Sequence, residues 1–201
     1  MIASFAVSEC QRALDGDPHV LCRAMAQGMR LYGSASIGAL RAAELHSFGM
    51  VVIGRIFEAY RDSVLVDDDE VAVLHGPGEL RYPALTETMV NIRATLDKAV
   101  EEGVLDCALA ARLTEIGETL FYKERNWSAI LRRASDYHPA PLALDNIATW
   151  LGAGTIDQKR IDALAMTEAI QAYLATGVTR MTVSYQFQDT GYHKAATRQV
   201  S

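Results

Sequence analysis

Met29-Arg30-Leu31-Tyr32-Gly33-Ser34-Ala35-Ser36-Ile37-Gly38-Ala39-Leu40-Arg41-Ala42-Ala43-Glu44-Leu45-His46 decides the fold class. Four residues of strand character lead into a turn of glycine, serine and alanine. An alanine-rich helix from Ala39 to His46 follows. Strand, glycine turn and helix in this order are an α/β signature. Upstream, Asp17-Pro18 predicts an N-cap followed by a proline at the first helical position, then a helix to Gln27 that stops at Gly28. Ile2, Phe5 and Val7 fit a short strand. Downstream, Gly49 breaks the alanine-rich helix, and Ile53, Ile56, Phe57 and Tyr60 recur at helical spacing as far as Asp62. The acidic run Asp67-Asp68-Asp69-Glu70 leads into Val71-Ala72-Val73-Leu74-His75. That pattern reads as a short buried strand closed by Gly76-Pro77-Gly78.

After Pro83 the pattern turns helical. Met89, Ile92, Leu96 and Val100 form one apolar stripe that Gly103 ends, and Leu109, Leu113, Ile116 and Leu120 form a second. Trp127, Ile130 and Leu131 begin a third. Leu144, Ile147 and Leu151 sit on a fourth, followed by Gly152 and Gly154. Ala163, Met166, Ile170 and Tyr173 mark a fifth, longer helix that Asp157 is placed to cap. In the tail, Met181, Val183, Tyr185 and Phe187 alternate with polar residues. A period of two suits a short strand or an exposed β-like arm.

The composition agrees with a folded chain. Of 201 residues, half are apolar and 22% charged, as in a globular domain with or without a helical extension. The net charge of −6 argues against general nucleic-acid binding, which depends on neutralising phosphates. No apolar run reaches the ~18 residues of a membrane span. The N-terminus lacks the basic and apolar regions of a signal peptide. Cys10, Cys22 and Cys107 are odd in number and widely spaced, which suggests a reducing, cytoplasmic setting rather than a disulfide framework.

Several residues are candidates for chemistry. The backbone N–H groups of the Gly33, Ser34 and Gly38 turn can hold an anion or a developing oxyanion. Ser36 suits either an N-cap or a nucleophile. The turn does not meet the nucleophile-elbow, dinucleotide or phosphate-loop patterns. Arg41 and Glu44, three apart on one helical face, read as a surface ion pair or as an arginine clamp for a carboxylate, oriented by the glutamate. Asp67 to Glu70 suits a solvated turn or a divalent cation, without calcium-loop spacing. His75, at the end of the expected strand, is a candidate general base or a structural histidine. The other histidines, His19, His46, His138 and His193, show no metal-ligand spacing with the cysteines. Cys22 and Cys107 read first as structural thiols. Asp157-Gln158-Lys159-Arg160 offers a polar contact.

Taken together, Gly33 to Leu45 resembles the core motif of the TfuA-like family. The resemblance continues through Phe48-Gly49-Met50, Gly54 to Asp62 and Asp67 to Pro77. It reappears at Val90-Asn91-Ile92-Arg93 and Asp157 to Arg160, so that it spans about residues 28–175. Two family elements have no match: an upstream His-Lys-Glu, nearest to Pro18-His19-Val20 here, and an initial strand with Gly-Pro-Ser. The chain therefore reads as N-terminally short or divergent. The resemblance implies a partner of YcaO-family enzymes, which activate backbone amides with ATP during thioamide formation in peptides and proteins. It implies recruiting sulfur, or releasing it from the C-terminal thiocarboxylate of a ubiquitin-like sulfur carrier.

The reading is thus a small N-terminal Rossmann-like α/β portion with short parallel strands (1–82), a helical portion of the same unit (83–177) and a tail (178–201). The expected function is an accessory role in backbone thioamidation. Whether the chain is itself a hydrolase is left open. The expected catalytic set is Ser36, Arg41, Glu44, Glu70 and His75, with Gly33, Ser34, Gly38, Asp157 and Lys159 toward substrate. No metal or cofactor is expected. The expected partners are a YcaO-family enzyme, a sulfur carrier, a peptide or protein substrate and further copies of the chain. Nucleic acid and membrane are not among them. The competing readings are a stand-alone serine hydrolase using Ser36 and a non-enzymatic interaction module.

Overall fold

The computed structural model describes residues 17–137 and 141–188. Cys10, His138, His193, the expected strand at Ile2 to Val7 and the end of the tail lie outside the described residues. The chain divides into two compact units, one from Met1–Val64 and Asp162–Ser201, the other Leu65–Ile161.

The first unit begins with α1, Pro18–Ala26. As the sequence predicts, Pro18 opens the helix and the Asp17 carboxylate accepts the His19 N–H at 2.9 Å. Two strands of two residues each follow, β1 (Tyr32–Gly33) and β2 (Val51–Val52). They pair in parallel, Tyr32 opposite Val51 and Gly33 opposite Val52. Each strand feeds a helix: β1 leads to α2 (Ile37–Leu45) and β2 to α3 (Arg55–Arg61). The arrangement is α/β, but the sheet is only this parallel pair among the described residues, short of a Rossmann-like sheet. Ile53 precedes α3 instead of belonging to it, because the chain is still leaving β2. Two valines are too few to show strand periodicity in sequence. Ala39 and Ala42 of α2 are fully buried, together with Met25, Ile56 and Phe57. Small residues on that face let the helix approach the strands closely.

The unit is completed by the far end of the chain. Helix α8, Gln158–Ala175, enters it at Asp162. Ala163, Met166, Ile170 and Tyr173 are half-buried, as their spacing predicts. Arg30 stacks over the Tyr173 ring at 4.4 Å. Residues 178–188 form no strand, which corrects that option for the tail. Their alternation comes from an extended arm lying on the unit, with Met181, Val183, Tyr185 and Phe187 half-buried and the residues between them exposed. Met181 N–H donates to the Gly28 carbonyl at 3.0 Å, and the Tyr185 hydroxyl to that of Cys22 at 2.8 Å.

The second unit is built on four helices: α4 (Met89–Glu101), α5 (Cys107–Thr119), α6 (Trp127–Tyr137) and α7 (Pro141–Gly154). Their predicted stripes meet in one core of Met89, Ile92, Leu96, Leu113, Ile130 and Ile147. Thr88 and Asp106 cap α4 and α5 by accepting Asn91 and Leu109 N–H. Gly152 and Gly154 lie inside α7 and not after it.

Val71 to His75 is not a strand. Residues Asp68–Val71 form a 3-10 turn, and only His75 makes an isolated antiparallel bridge, to Ala84. The reason is competition for backbone groups. The Val71 carbonyl accepts from the Lys159 ammonium at 2.9 Å and Leu74 N–H goes to the Thr86 hydroxyl at 2.8 Å, so at these groups side chains take the place of a ladder.

Candidate functional site

The turn after β1 is tight and strained. Ser36 N–H donates back to the Ser34 carbonyl at 2.8 Å, and Ala35 between them has φ +68°. This is the rarer form of γ-turn, and a non-glycine residue at positive φ costs on the order of 1 kcal/mol or more. Gly33 permits it by close approach. A Cβ there would lie 2.4 Å from the Gly38 carbonyl oxygen and 2.6 Å from the Ala42 methyl. Ser36 occupies the N-cap position of α2, yet its hydroxyl makes no capping hydrogen bond. An N-cap side chain normally satisfies one of the first free N–H groups of its helix. Ser36 itself has φ −147° and ψ −135°, outside the extended region of an ordinary N-cap. Ser34 is the reverse case: it is buried, and its hydroxyl donates to the Asp162 carbonyl at 3.0 Å.

One turn into α2, Arg41 meets Glu44. A single guanidinium nitrogen, Nη1, spans both carboxylate oxygens at 2.7 and 2.6 Å. The pair is half-exposed, 24% for Arg41 and 42% for Glu44. Arg41 Nε is buried and has no hydrogen-bond partner. Leaving a buried donor unsatisfied costs about 1–3 kcal/mol. Glu44 therefore engages the guanidinium through Nη1 alone and leaves the Nε donor unpaired.

Asp162 is the residue in this region that the sequence pattern underplays. It is 2% exposed, and its carboxylate accepts Arg55 N–H at 3.2 Å and Ile56 N–H at 2.9 Å. The available signal is an acidic residue beside Ala163 and Met166, on the less exposed side of α8.

The remaining expected residues belong to the second unit. Glu70 is bound by Arg93 through two bonds, at 2.7 and 3.1 Å, and Arg93 also reaches Glu118 at 2.6 Å. The hydrogen bond to Glu70 is the main reason why the Arg93 pKa lies above its ordinary value. Asp69 pairs with Arg125, a fully buried guanidinium that also donates to the Gly117 and Leu120 carbonyls at 3.0 Å each. Two carboxylates of the acidic run are thus held by arginines. His75 is exposed, and its Nδ1 lies 2.9 Å from the Tyr82 carbonyl. A carbonyl only accepts, so Nδ1 carries the proton and Nε2 is left as the basic nitrogen.

Asp157 and Lys159 join a compact polar cluster around Asn91. The Asn91 amide donates to Glu87 at 3.0 Å and to Asp157 at 3.3 Å, and its oxygen accepts Lys159 N–H at 3.2 Å. The Lys159 ammonium donates to the Val71 carbonyl at 2.9 Å. Burial pushes the Glu87 carboxyl above its usual range and Lys159 below its own. Asp157 also caps α8, as predicted, by accepting Arg160 N–H at 3.0 Å. Cys22 and Cys107 are both free thiols, and burial raises the pKa of Cys22. Among the described residues no helix is long and apolar enough to cross a membrane.

The model of the TfuA-like protein family matches residues 17–126, more than half of the chain. The chain belongs to that family. The match takes in the Gly33 to Pro77 block and Val90 to Arg93. It ends before Asp157 to Arg160, so the resemblance seen there stands outside it. No curated protein matches the chain. Of the family residues, Gly33, Ser34, Ser36, Arg41 and Glu44 lie on β1, the turn after it and α2 of the first unit. Glu70 and His75 belong to the second.

Proposed function

We propose that this TfuA-like protein serves YcaO-dependent backbone thioamidation by releasing sulfur from the C-terminal thiocarboxylate of a sulfur-carrier protein. The observation that carries the reading is the Ser36 turn. Its hydroxyl makes no capping hydrogen bond, Ser36 follows the strained Ala35, and the same helix carries Arg41, whose buried Nε has no partner.

In this reading Arg41 holds the thiocarboxylate, and Ser36 attacks its carbonyl carbon while giving up its proton to a base. The tetrahedral oxyanion faces the backbone N–H groups at the start of α2. The carbon–sulfur bond then breaks and sulfide leaves. Water cleaves the resulting ester, restoring the serine hydroxyl and yielding a carboxylate. The net change is thiocarboxylate plus water to carboxylate plus hydrogen sulfide. The base role of His75 or Glu70, and the substrate roles of Asp157 and Lys159, rest on the sequence pattern. Glu70 suits such a role less well than His75, because Arg93 already holds its carboxylate.

Mass spectrometry of a purified thiocarboxylated carrier, with and without this protein, tests the reading. Conversion by wild type, and its loss in Ser36→Ala and Arg41→Ala, is the expected result. No conversion, with or without the YcaO enzyme, overturns hydrolysis. Co-purification with that enzyme would then favour a recruiting role.

A further inference from the structure

The two parallel strands of the first unit each end in a turn that starts a helix, and both turns are tied to the same residue of α8. The turn after β1 is tied through the Ser34 hydroxyl, which donates to the Asp162 carbonyl at 3.0 Å. The turn after β2 is tied through the Asp162 carboxylate, which accepts Arg55 and Ile56 N–H at 3.2 and 2.9 Å. These N–H groups open α3, where they have no partner within the helix and the helix dipole favours a negative charge. Asp162 lies more than a hundred residues further along the chain, so no local sequence preference sets this contact.

Gly54 shows how closely the carboxylate is seated. Its φ of +102° and ψ of 162° fall in a region nearly reserved for glycine. A Cβ there would lie 2.3 Å from the carboxyl carbon of Asp162. The turn after β2 is therefore shaped around this carboxylate. The Ser34 carbonyl, on the residue that Asp162 holds, is also the acceptor that closes the γ-turn onto Ser36. Asp162 thus touches the candidate site through one intermediate residue and fixes the backbone from which Ser36 projects.

We infer that Asp162 is a positioning residue for the Ser36 turn, so that α8, outside the family-matched segment, sets the geometry of the site. It does not contact the reacting atoms. Its effect should appear in the rate of the bound complex more than in its formation, because misplacing a reacting group by about 1 Å can cost on the order of 10²-fold in rate. The inference rests on the proposed sulfur release for its kinetic part and on backbone geometry alone for the rest.

Two measurements on the full chain test it, with Asp162→Asn, Asp162→Ala and Ser34→Ala. The first is kcat and KM for thiocarboxylate conversion. The expectation is a kcat lowered about 10-fold in Ser34→Ala, which cuts the bond to the Asp162 carbonyl, and by less in Asp162→Ala, which keeps that carbonyl and loses only the tie to the turn after β2, with KM within about twofold of wild type in both. Asp162→Asn, which keeps the shape but not the charge, falls between wild type and Asp162→Ala. The second is amide hydrogen exchange of residues 33–37 and 54–57. It should accelerate in residues 54–57 in Asp162→Ala, which loses the carboxylate but keeps the backbone carbonyl, and in residues 33–37 in Ser34→Ala. Should Asp162→Ala fail to fold, the other two variants carry the test. A folded Ser34→Ala with wild-type kcat and unchanged exchange in residues 33–37 overturns the inference. If wild type converts no thiocarboxylate, the proposed function falls, and exchange in the two turns alone decides the role of Asp162.

Discussion

An arginine of the first unit leaves a buried donor unengaged, whereas an arginine of the second is saturated by its partners. Around Arg125, a fully buried guanidinium meets two helix-end carbonyls, the Asp69 carbonyl and the Asp69 carboxylate. Around Arg41, a half-buried guanidinium meets one carboxylate through one nitrogen and keeps a buried donor unpaired. The same side chain thus has two uses. A saturated arginine joins segments, here the turn at Asp69 to the end of α5. An unsaturated one keeps a buried donor without a partner, at a cost in stability that the surrounding fold must offset.

The largest expected effect breaks the comparison on its saturated side. Arg125→Ala should destabilise the protein by about 3–5 kcal/mol, since it strands the Leu120 carbonyl, leaves the Gly117 carbonyl with only the Leu120 N–H and leaves Asp69 unpaired. Urea denaturation measures it. A loss below about 1 kcal/mol would show that the network is not structural.

Next comes Gly54→Ala in the first unit. It should cost about 2–3 kcal/mol, because the new methyl must enter a backbone region closed to alanine and displace the Asp162 carboxylate. A midpoint shift with unchanged m-value is the expected signature, and wild-type stability would refute it.

A smaller effect, of opposite sign, belongs to Glu87. Burial, the largest cause, raises its pKa in the fold. A raised carboxyl pKa means stability that is fully present below the unfolded value and is lost as pH rises through the folded one. Glu87→Gln keeps an acceptor for Asn91 and avoids ionisation. It should match wild type below about pH 4 and become the more stable of the two as pH rises from there to neutrality. Stability curves that stay parallel from pH 3 to 7, values chosen roughly to bracket the ordinary carboxyl pKa, would contradict this.

The smallest change in stability sharpens the contrast most. An ordinary N-cap serine loses about 0.5–2 kcal/mol on replacement by alanine. Ser36→Ala should lose less than about 0.5 kcal/mol, because its hydroxyl caps nothing. It should still abolish thiocarboxylate conversion. A cap-sized loss of stability with activity intact would return Ser36 to a structural role.

The sequence by itself determined the parts whose causes are local. Asp17, Thr88, Asp106 and Asp157 begin helices because a short polar side chain reaches an N–H two or three residues on. The stripes of α4 to α7 predicted their core, since burial follows helical periodicity. The Gly33 to Leu45 block was enough to indicate the family and to place Ser36, Arg41 and Glu44 together on one turn and one helix. Tertiary structure alone decided what depends on partners remote in the chain. Val71 to His75 has strand-like composition, but Lys159 and Thr86 claim backbone groups that a strand would need. The alternating tail finds carbonyls of Gly28 and Cys22 instead of a neighbouring strand. Ser34 and Ser36 look alike in sequence, yet one hydroxyl is bound to Asp162 and the other is not used as a cap. A hydrogen bond forms where two groups meet in space, and for these residues the partner's position along the chain carries no local trace.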